Sequence, residues 1–308
     1  MGTLALLWGS VFLWIELALT GLTPVQITVI RCALGTAVLL VLAGLGRQKL
    51  PRDRVTWGHL VVAAFFCNAL PFVLFGIGQQ SVDSGTAGVL NATTPLWALL
   101  IGVALGTERR LTPARVGGLV LGFAGVAVIF APWEHDGLAS WGALALLGAA
   151  ASYAVAFAYM GRTLVGRAGP MAISAAQLAA ATGLGALGLP LSGPAHPNTT
   201  AVVAVVVLGI FGTGFTFVLN YRIIEDEGAT SAATVGYLLP VVSVGLGALV
   251  LGEPLTPRVV AGMAVVLVGV AMTRTAAAAP PQDGSGPCPL PVLSTERDEP
   301  GGRSADPR

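Results

Sequence analysis

Charge is what this sequence has least of. Lys, Arg, Asp and Glu together make up 10% of the 308 residues, where a soluble domain carries about 25%. The few charges nearly cancel, at a net +1, which excludes a basic nucleic-acid-binding surface as the main feature. Cysteine is almost missing. Cys32 and Cys67 lie in apolar runs and Cys288 near the C-terminus, so neither a disulfide framework nor a metal-binding spacing can be built. The three histidines, His59, His135 and His196, sit near the ends of apolar runs or between them. HExxH, CxxC, Walker A, GxSxG and paired-Asp motifs do not occur. An intramembrane enzyme needs several ionisable groups at one depth, and the sequence does not supply them; no cofactor is expected. Met1 enters the first apolar run without a basic stretch, so a cleaved signal peptide is not expected. What remains is apolar: 55% hydrophobic residues and a mean hydropathy of +0.81. Such a chain belongs in a lipid bilayer.

A bilayer core of about 30 Å takes roughly 20 apolar residues per helix. Ten such runs stand between turn signals, at 3–20, 25–46, 57–79, 85–106, 113–131, 138–160, 170–191, 199–221, 229–251 and 257–274. Pro24, Pro113, Pro170 and Pro257 open helices, where a missing N–H costs nothing. Pro95 and Pro240 lie inside runs, where neighbouring helices must satisfy the freed carbonyl. Placing the N-terminus in the cytoplasm puts Arg47, Lys49, Arg52, Arg54, Arg109, Arg110, Arg115, Arg162, Arg167, Arg222 and Arg274 on the inner side. Only Arg31 and Arg258 fall on the outer side, with the acidic loop of Glu134 and Asp136. This split satisfies the positive-inside rule, and predicts a multi-pass plasma-membrane protein with both termini cytoplasmic. Residues 275–308 hold seven prolines and no apolar periodicity, the composition of a disordered tail.

One phrase occurs twice. PLWALLIGVALGTERRLTP (95–113) returns as PVVSVGLGALVLGEPLTP (240–257). Pro240 follows Pro95, and Glu253 follows Glu108, at the same interval of 145 residues. SGTAGVL (84–90) aligns with ATSAATV (229–235), and Phe66 and Phe72 align with Phe211 and Phe217. Each half holds five runs. An odd number places the second half upside down in the membrane, an inverted-topology repeat of the kind secondary transporters use. The expected fold is therefore all-α and integral to the membrane, with ten transmembrane helices as two inverted five-helix repeats, 1–132 and 133–274.

These residues resemble the drug/metabolite transporter superfamily in its EamA-type ten-helix branch. The passages that carry the likeness are 6–34, which includes Arg31 at the start of the second helix, 84–128, and the degenerate copy at 227–271. The resemblance implies a central cavity lined by helices 1, 3, 4, 6, 8 and 9, with helices 5 and 10 packed behind. Gly118-x-x-x-Gly122 and Gly102-x-x-x-Gly106 suit close helix packing.

Polar groups inside runs are the informative ones, because hydrocarbon does not solvate them. Glu16 is the one carboxylate well inside a run, and Arg31 follows on the next helix. They read either as a fixed ion pair or as a protonatable coupling or gating site. Asn68 and its repeat counterpart Thr213 fall at the middle of helices 3 and 8, where a repeat-interface binding site would need them; the plain alternative is an interhelical hydrogen bond. Asn91, Thr94 and Tyr237 stand beside Pro95 and Pro240, where kinks expose polar backbone. Trp8 and Tyr153 offer aromatic walls, as would Trp14 if it does not face lipid. Glu108 and Glu253 read as gating groups or as anions beside a following helix start. The expected function is secondary transport of a small metabolite or drug-like compound by alternating access, in the export direction by resemblance. The work would come from a proton or other gradient, and a homodimer is compatible with the sequence. The alternatives are an integral-membrane enzyme, or a channel-like or structural membrane protein.

Overall fold

The computed structural model describes residues 2–106, 112–130, 141–227 and 229–278. Glu108, Arg109, Arg110, Glu134, Asp136 and the expected tail beyond 278 lie outside the described residues. Among those described, all regular structure is helical. Seven helices are long and apolar enough to cross a bilayer: Gly2–Leu19, Pro24–Leu45, Arg54–Gly78, Ser84–Ala104, Trp141–Thr163, Pro170–Leu191 and Thr199–Asn220. Shorter apolar helices, Pro113–Ile129, Leu238–Leu251 and Pro257–Thr273, occupy the other three expected runs. The chain is a multi-pass membrane protein. Large apolar side chains such as Leu45, Val120 and Leu249 are exposed on its outside, as lipid contact requires.

Several runs are broken helices. The first is α1 (Gly2–Gly9) and α2 (Val11–Leu19), and the second is the unbroken α3 (Pro24–Leu45). The third is α4 (Arg54–Ala64), a π-helical turn at Phe65–Ala69, and α5 (Leu70–Gly78). The fourth is α6 (Ser84–Asn91) and α7 (Thr94–Ala104), followed by α8 (Pro113–Phe130), α9 (Trp141–Thr163) and α10 (Pro170–Ala186). Then come α11 (Thr199–Gly209), a second π-helical turn at Ile210–Phe215 and α12 (Thr216–Glu227). Last are α13 (Ala229–Leu246), a π-helical end at Gly247–Leu251, and α14 (Pro257–Ala278).

Local chemistry accounts for these boundaries. Thr23 and Gln26 form a capping box ahead of Pro24, Asp53 accepts from the Thr56 amide at 2.8 Å, and Asn198 accepts from the Ala201 amide at 2.7 Å; each satisfies an orphan donor of a first turn. The first π turn precedes Pro71, which cannot donate to the turn before it. Its Phe66 carbonyl instead accepts from the Ser152 hydroxyl at 2.7 Å. In the second π turn the Thr213 hydroxyl donates to the Leu208 carbonyl, five residues back, at 3.0 Å.

The doubled phrase has a structural counterpart. Gly106 and Gly252 both adopt left-handed backbone, at φ +67° and +70°, and end their helices as only glycine does readily. The expected packing role of Gly102-x-x-x-Gly106 therefore fails at Gly106, which has open space around it. Gly118 and Gly122 do bring α8 against α14. A methyl added at Gly269 would sit 2.5 Å from the Gly122 amide nitrogen, and one at Gly118 would sit 2.7 Å from the Gly269 carbonyl.

Candidate functional site

A cavity of about 760 Å³ lies among the helices. Both π turns line it, through Asn68 and Thr213, which are 1% exposed and 145 residues apart. A π turn widens a helix by one residue and commonly marks a functional position. Asn68 Oδ1 accepts from Gln177 Nε2 at 2.6 Å. Gln177 also faces the cavity, and sequence reasoning missed it. The signal is an amide in an otherwise apolar run, on a helix outside the six that the resemblance places at the cavity.

Trp8, Asn91, Thr94 and Tyr153 line the cavity. Tyr153 stacks on Phe157 with ring centroids 5.8 Å apart and touches Phe75 at 5.9 Å, so one wall is aromatic. Thr94 is occupied locally: its hydroxyl donates to the Asn91 carbonyl at 2.7 Å, the carbonyl that Pro95 leaves without its usual helical donor. Thr93 does the same for Leu90 at 2.6 Å. Asn91 Oδ1 is buried with no partner. The Tyr237 side chain lies outside the described residues.

Arg31 and Glu16 do not form an ion pair. They face different neighbours. The Arg31 guanidinium, 3% exposed, turns toward the second π turn, and its Nε and Nη2 donate to Thr213 Oγ1 at 3.3 and 3.2 Å. Its carbon lies 3.7 Å from the centroid of the Phe72 ring, a cation–π contact. Glu16 is outside the cavity lining and accepts from Gln79 Nε2 at 3.3 Å. Arg31 and Gln177 bring the second and seventh helices into the wall, and Arg115, Leu267 and Thr273 bring α8 and α14. The lining is wider than the six expected helices.

The two ends of the bundle differ. At the end holding residues 20–26, 78–85, 192–201 and 252–256, polar bonds cross between helices. Glu253 accepts from the Ser84 and Gly85 amides at 2.8 and 2.9 Å, capping the first turn of α6 with a carboxylate. Gln79 Nε2 donates to the Phe12 carbonyl at 2.8 Å, the His196 amide to the Gly21 carbonyl at 3.1 Å, and Gln26 Nε2 to the Gly193 carbonyl at 3.1 Å. No residue of these segments lines the cavity. The lining instead runs toward the other end, to Arg115 in the first turn of α8, Asn220, Met160 late in α9 and Thr273 late in α14. Glu253 therefore reaches a different helix from the one it precedes. Asp83, beside it, has its carboxyl raised above the usual range, first by burial and then by the Glu253 charge.

The EamA-like transporter profile matches residues 2–131 and again residues 140–275. The chain belongs to the EamA-like transporter family. The double match coincides with the doubled phrase and the paired π turns. Relatives of this EamA-like chain include an uncharacterized transporter of Archaeoglobus fulgidus, 28% identical over 85% of this chain and 93% of that one. Another is the uncharacterized transporter YvbV of Bacillus subtilis, 27% identical over 88% and 89% of the two chains. A third is the uncharacterized inner membrane transporter YedA of Escherichia coli, 26% identical over 82% of each. A solved protein crystal structure, 23% identical, shares the fold with a TM-score of 0.64, covering 89% of this chain and 96% of the other.

Proposed function

We propose that this EamA-like membrane transporter is a secondary transporter that moves a small organic molecule through the central cavity by alternating access. The observation that carries the reading is the cavity itself. It is walled by both matched halves, holds Asn68 and Thr213 at equivalent positions, and runs toward one end of the bundle while polar bonds cross the other. Ligand sites at a repeat interface near the bilayer midplane belong to this kind of machine. In this reading residues 1–132 and 133–274 are five-helix repeats of opposite orientation, giving ten spans. The end carrying Arg47, Lys49, Arg52, Arg54, Arg162, Arg167 and Arg222 is cytoplasmic, so the cavity faces inward and export starts from this state.

Asn68 is read as a substrate contact, because its carbonyl is held by Gln177 while its N–H₂ remains for a guest. Glu16 is read as a group whose protonation couples to opening of the crossed end. The test is counterflow in proteoliposomes of the purified full chain with a small-metabolite library. Saturable exchange of one compound class supports transport. Chemical conversion of any compound, or exchange that does not saturate, contradicts it. Replacing Asn68 with leucine should raise the half-saturation concentration about tenfold while the protein stays folded.

A further inference from the structure

Among the described residues, Arg31 is a cation without an anion. Its guanidinium is 3% exposed, yet among the described residues no carboxylate lies within ion-pair reach of it. Two of its five N–H donors share one neutral oxygen, Thr213 Oγ1. That hydroxyl already spends its own proton on the Leu208 carbonyl, so the Arg31–Thr213 contact orients the guanidinium without neutralising it. The Phe72 ring packs against the guanidinium, with the Arg31 guanidinium carbon over its face. The described cavity wall contains no Asp or Glu that could answer the Arg31 charge. Glu16, on the adjacent run, is turned away to Gln79. A buried charge is kept where something compensates it, and within a membrane a lone ionisable group marks a substrate path more often than a structural device.

We infer that Arg31 is the recognition site for the carboxylate of an organic monoanion, whose apolar body lies along Phe72, Phe75, Tyr153 and Trp8. The fork geometry of a guanidinium matches a carboxylate in two parallel bonds, and the donors not used on Thr213 are available for it. One fixed cation at this depth suits one negative charge. The aromatic wall suits a flat or branched apolar group better than a sugar or a second charged group. This inference rests on the transport reading for its physiological meaning, though not for the binding it asserts.

The test uses benzoate, phenylacetate, cinnamate and indoleacetate, each beside its own primary amide, on the purified full-length chain. A ligand of the folded state raises the melting temperature by mass action. The acids should raise it and the amides should do so far less. Arg31→Gln should abolish the difference between acid and amide. Arg31→Lys, which keeps the charge and loses the fork, should keep the preference for acid with about tenfold weaker apparent affinity. It decides the matter even if the glutamine variant does not fold. Amides as effective as acids across the set, or a lysine variant indistinguishable from the parent, would overturn the assignment. The same acids are then tried in counterflow. Acid binding that depends on Arg31 without exchange would sink the transport reading and leave the recognition site standing. Exchange of neutral compounds with no preference for acids would do the reverse.

Discussion

The end of the bundle at residues 78–85 and 252–256 and the end at residues 46–57 and 159–170 are held together by different chemistry. At the first, a carboxylate caps a helix on another span, an amide crosses to a backbone carbonyl, and the 192–198 segment returns to Gly21 and Gln26. At the second, the contacts are a His59–Tyr159 bond at 2.7 Å and a long Arg167–Thr56 contact at 3.5 Å, and Trp57 Nε1 donates to the Pro51 carbonyl within its own segment. Exposed cations gather at this second end, with Arg47, Lys49, Arg52, Arg54, Arg162 and Arg167 all on the surface. In the transport reading proposed above, the first end is the gate, and a few directional polar bonds cross it. Single substitutions can remove these without disturbing the apolar core formed by Phe12, Phe75, Leu90 and Leu146.

The strongest way to break the contrast is Glu253→Ala. It strips two charge-assisted bonds and leaves the Ser84 and Gly85 amides without their acceptor. Stability should fall by about 2–3 kcal/mol, read as a lower melting temperature, and a thiol probe applied from that side should reach the cavity much faster. If only stability falls, the bond is a helix cap and not a gate. Gln79→Leu should act in the same direction and less. It removes the bonds to Phe12 and Glu16, but it also removes Gln79 Oε1, which is buried without a partner. The net loss should be about 1 kcal/mol, checked by the same melting curve. Asp83→Asn sharpens the contrast and has the smallest effect. The raised carboxyl of Asp83 binds its proton more tightly folded than unfolded, so its contribution favours folding at low pH and is lost as pH rises through the raised value. Replacement by asparagine should therefore raise the melting temperature slightly at neutral pH. It should do nothing below the ordinary carboxylate range, where both states are protonated. An increase of the same size at both pH values would mean that the effect is not electrostatic.

Much of this was legible in the sequence, and the exceptions have physical causes. The apolar runs reappear as helices because each is bounded by a proline, a capping residue or a glycine, and these are local signals. Asn68 and Thr213 were legible because a polar residue deep in an apolar run must face protein or water, Asn91 because it stands beside Pro95, and Trp8 as an aromatic wall; all four lie on the cavity lining. What a linear reading could not give was azimuth. Glu16 and Arg31 lie on consecutive helices, and pairing them ignored the direction each side chain takes around its own helix. Arg31 turns to Thr213, 182 residues away, and Glu16 to Gln79. The π turns were equally hidden. They depend on Pro71 removing a donor at one site and on Thr213 bonding five residues back at the other, and neither changes the hydropathy of the run. Glu253 was read as a gating group or as an anion beside the helix start that follows it; its amide partners are at the start of α6 instead.

The central claim is that the cavity is reached from one end only in this state. It is tested by Ala92→Cys, at the break between α6 and α7 and on the cavity wall, in a chain whose Cys32, Cys67 and Cys288 are replaced by alanine. Membrane vesicles of both orientations are treated with an impermeant maleimide, and Arg52→Cys in the same background identifies which face is which. The account predicts rapid labelling of position 92 from the face that also labels position 52, slow labelling from the opposite face, and a rise in that slow rate on adding Glu253→Ala. Labelling of position 92 that is equally fast from both faces, or faster from the face opposite position 52, would contradict it.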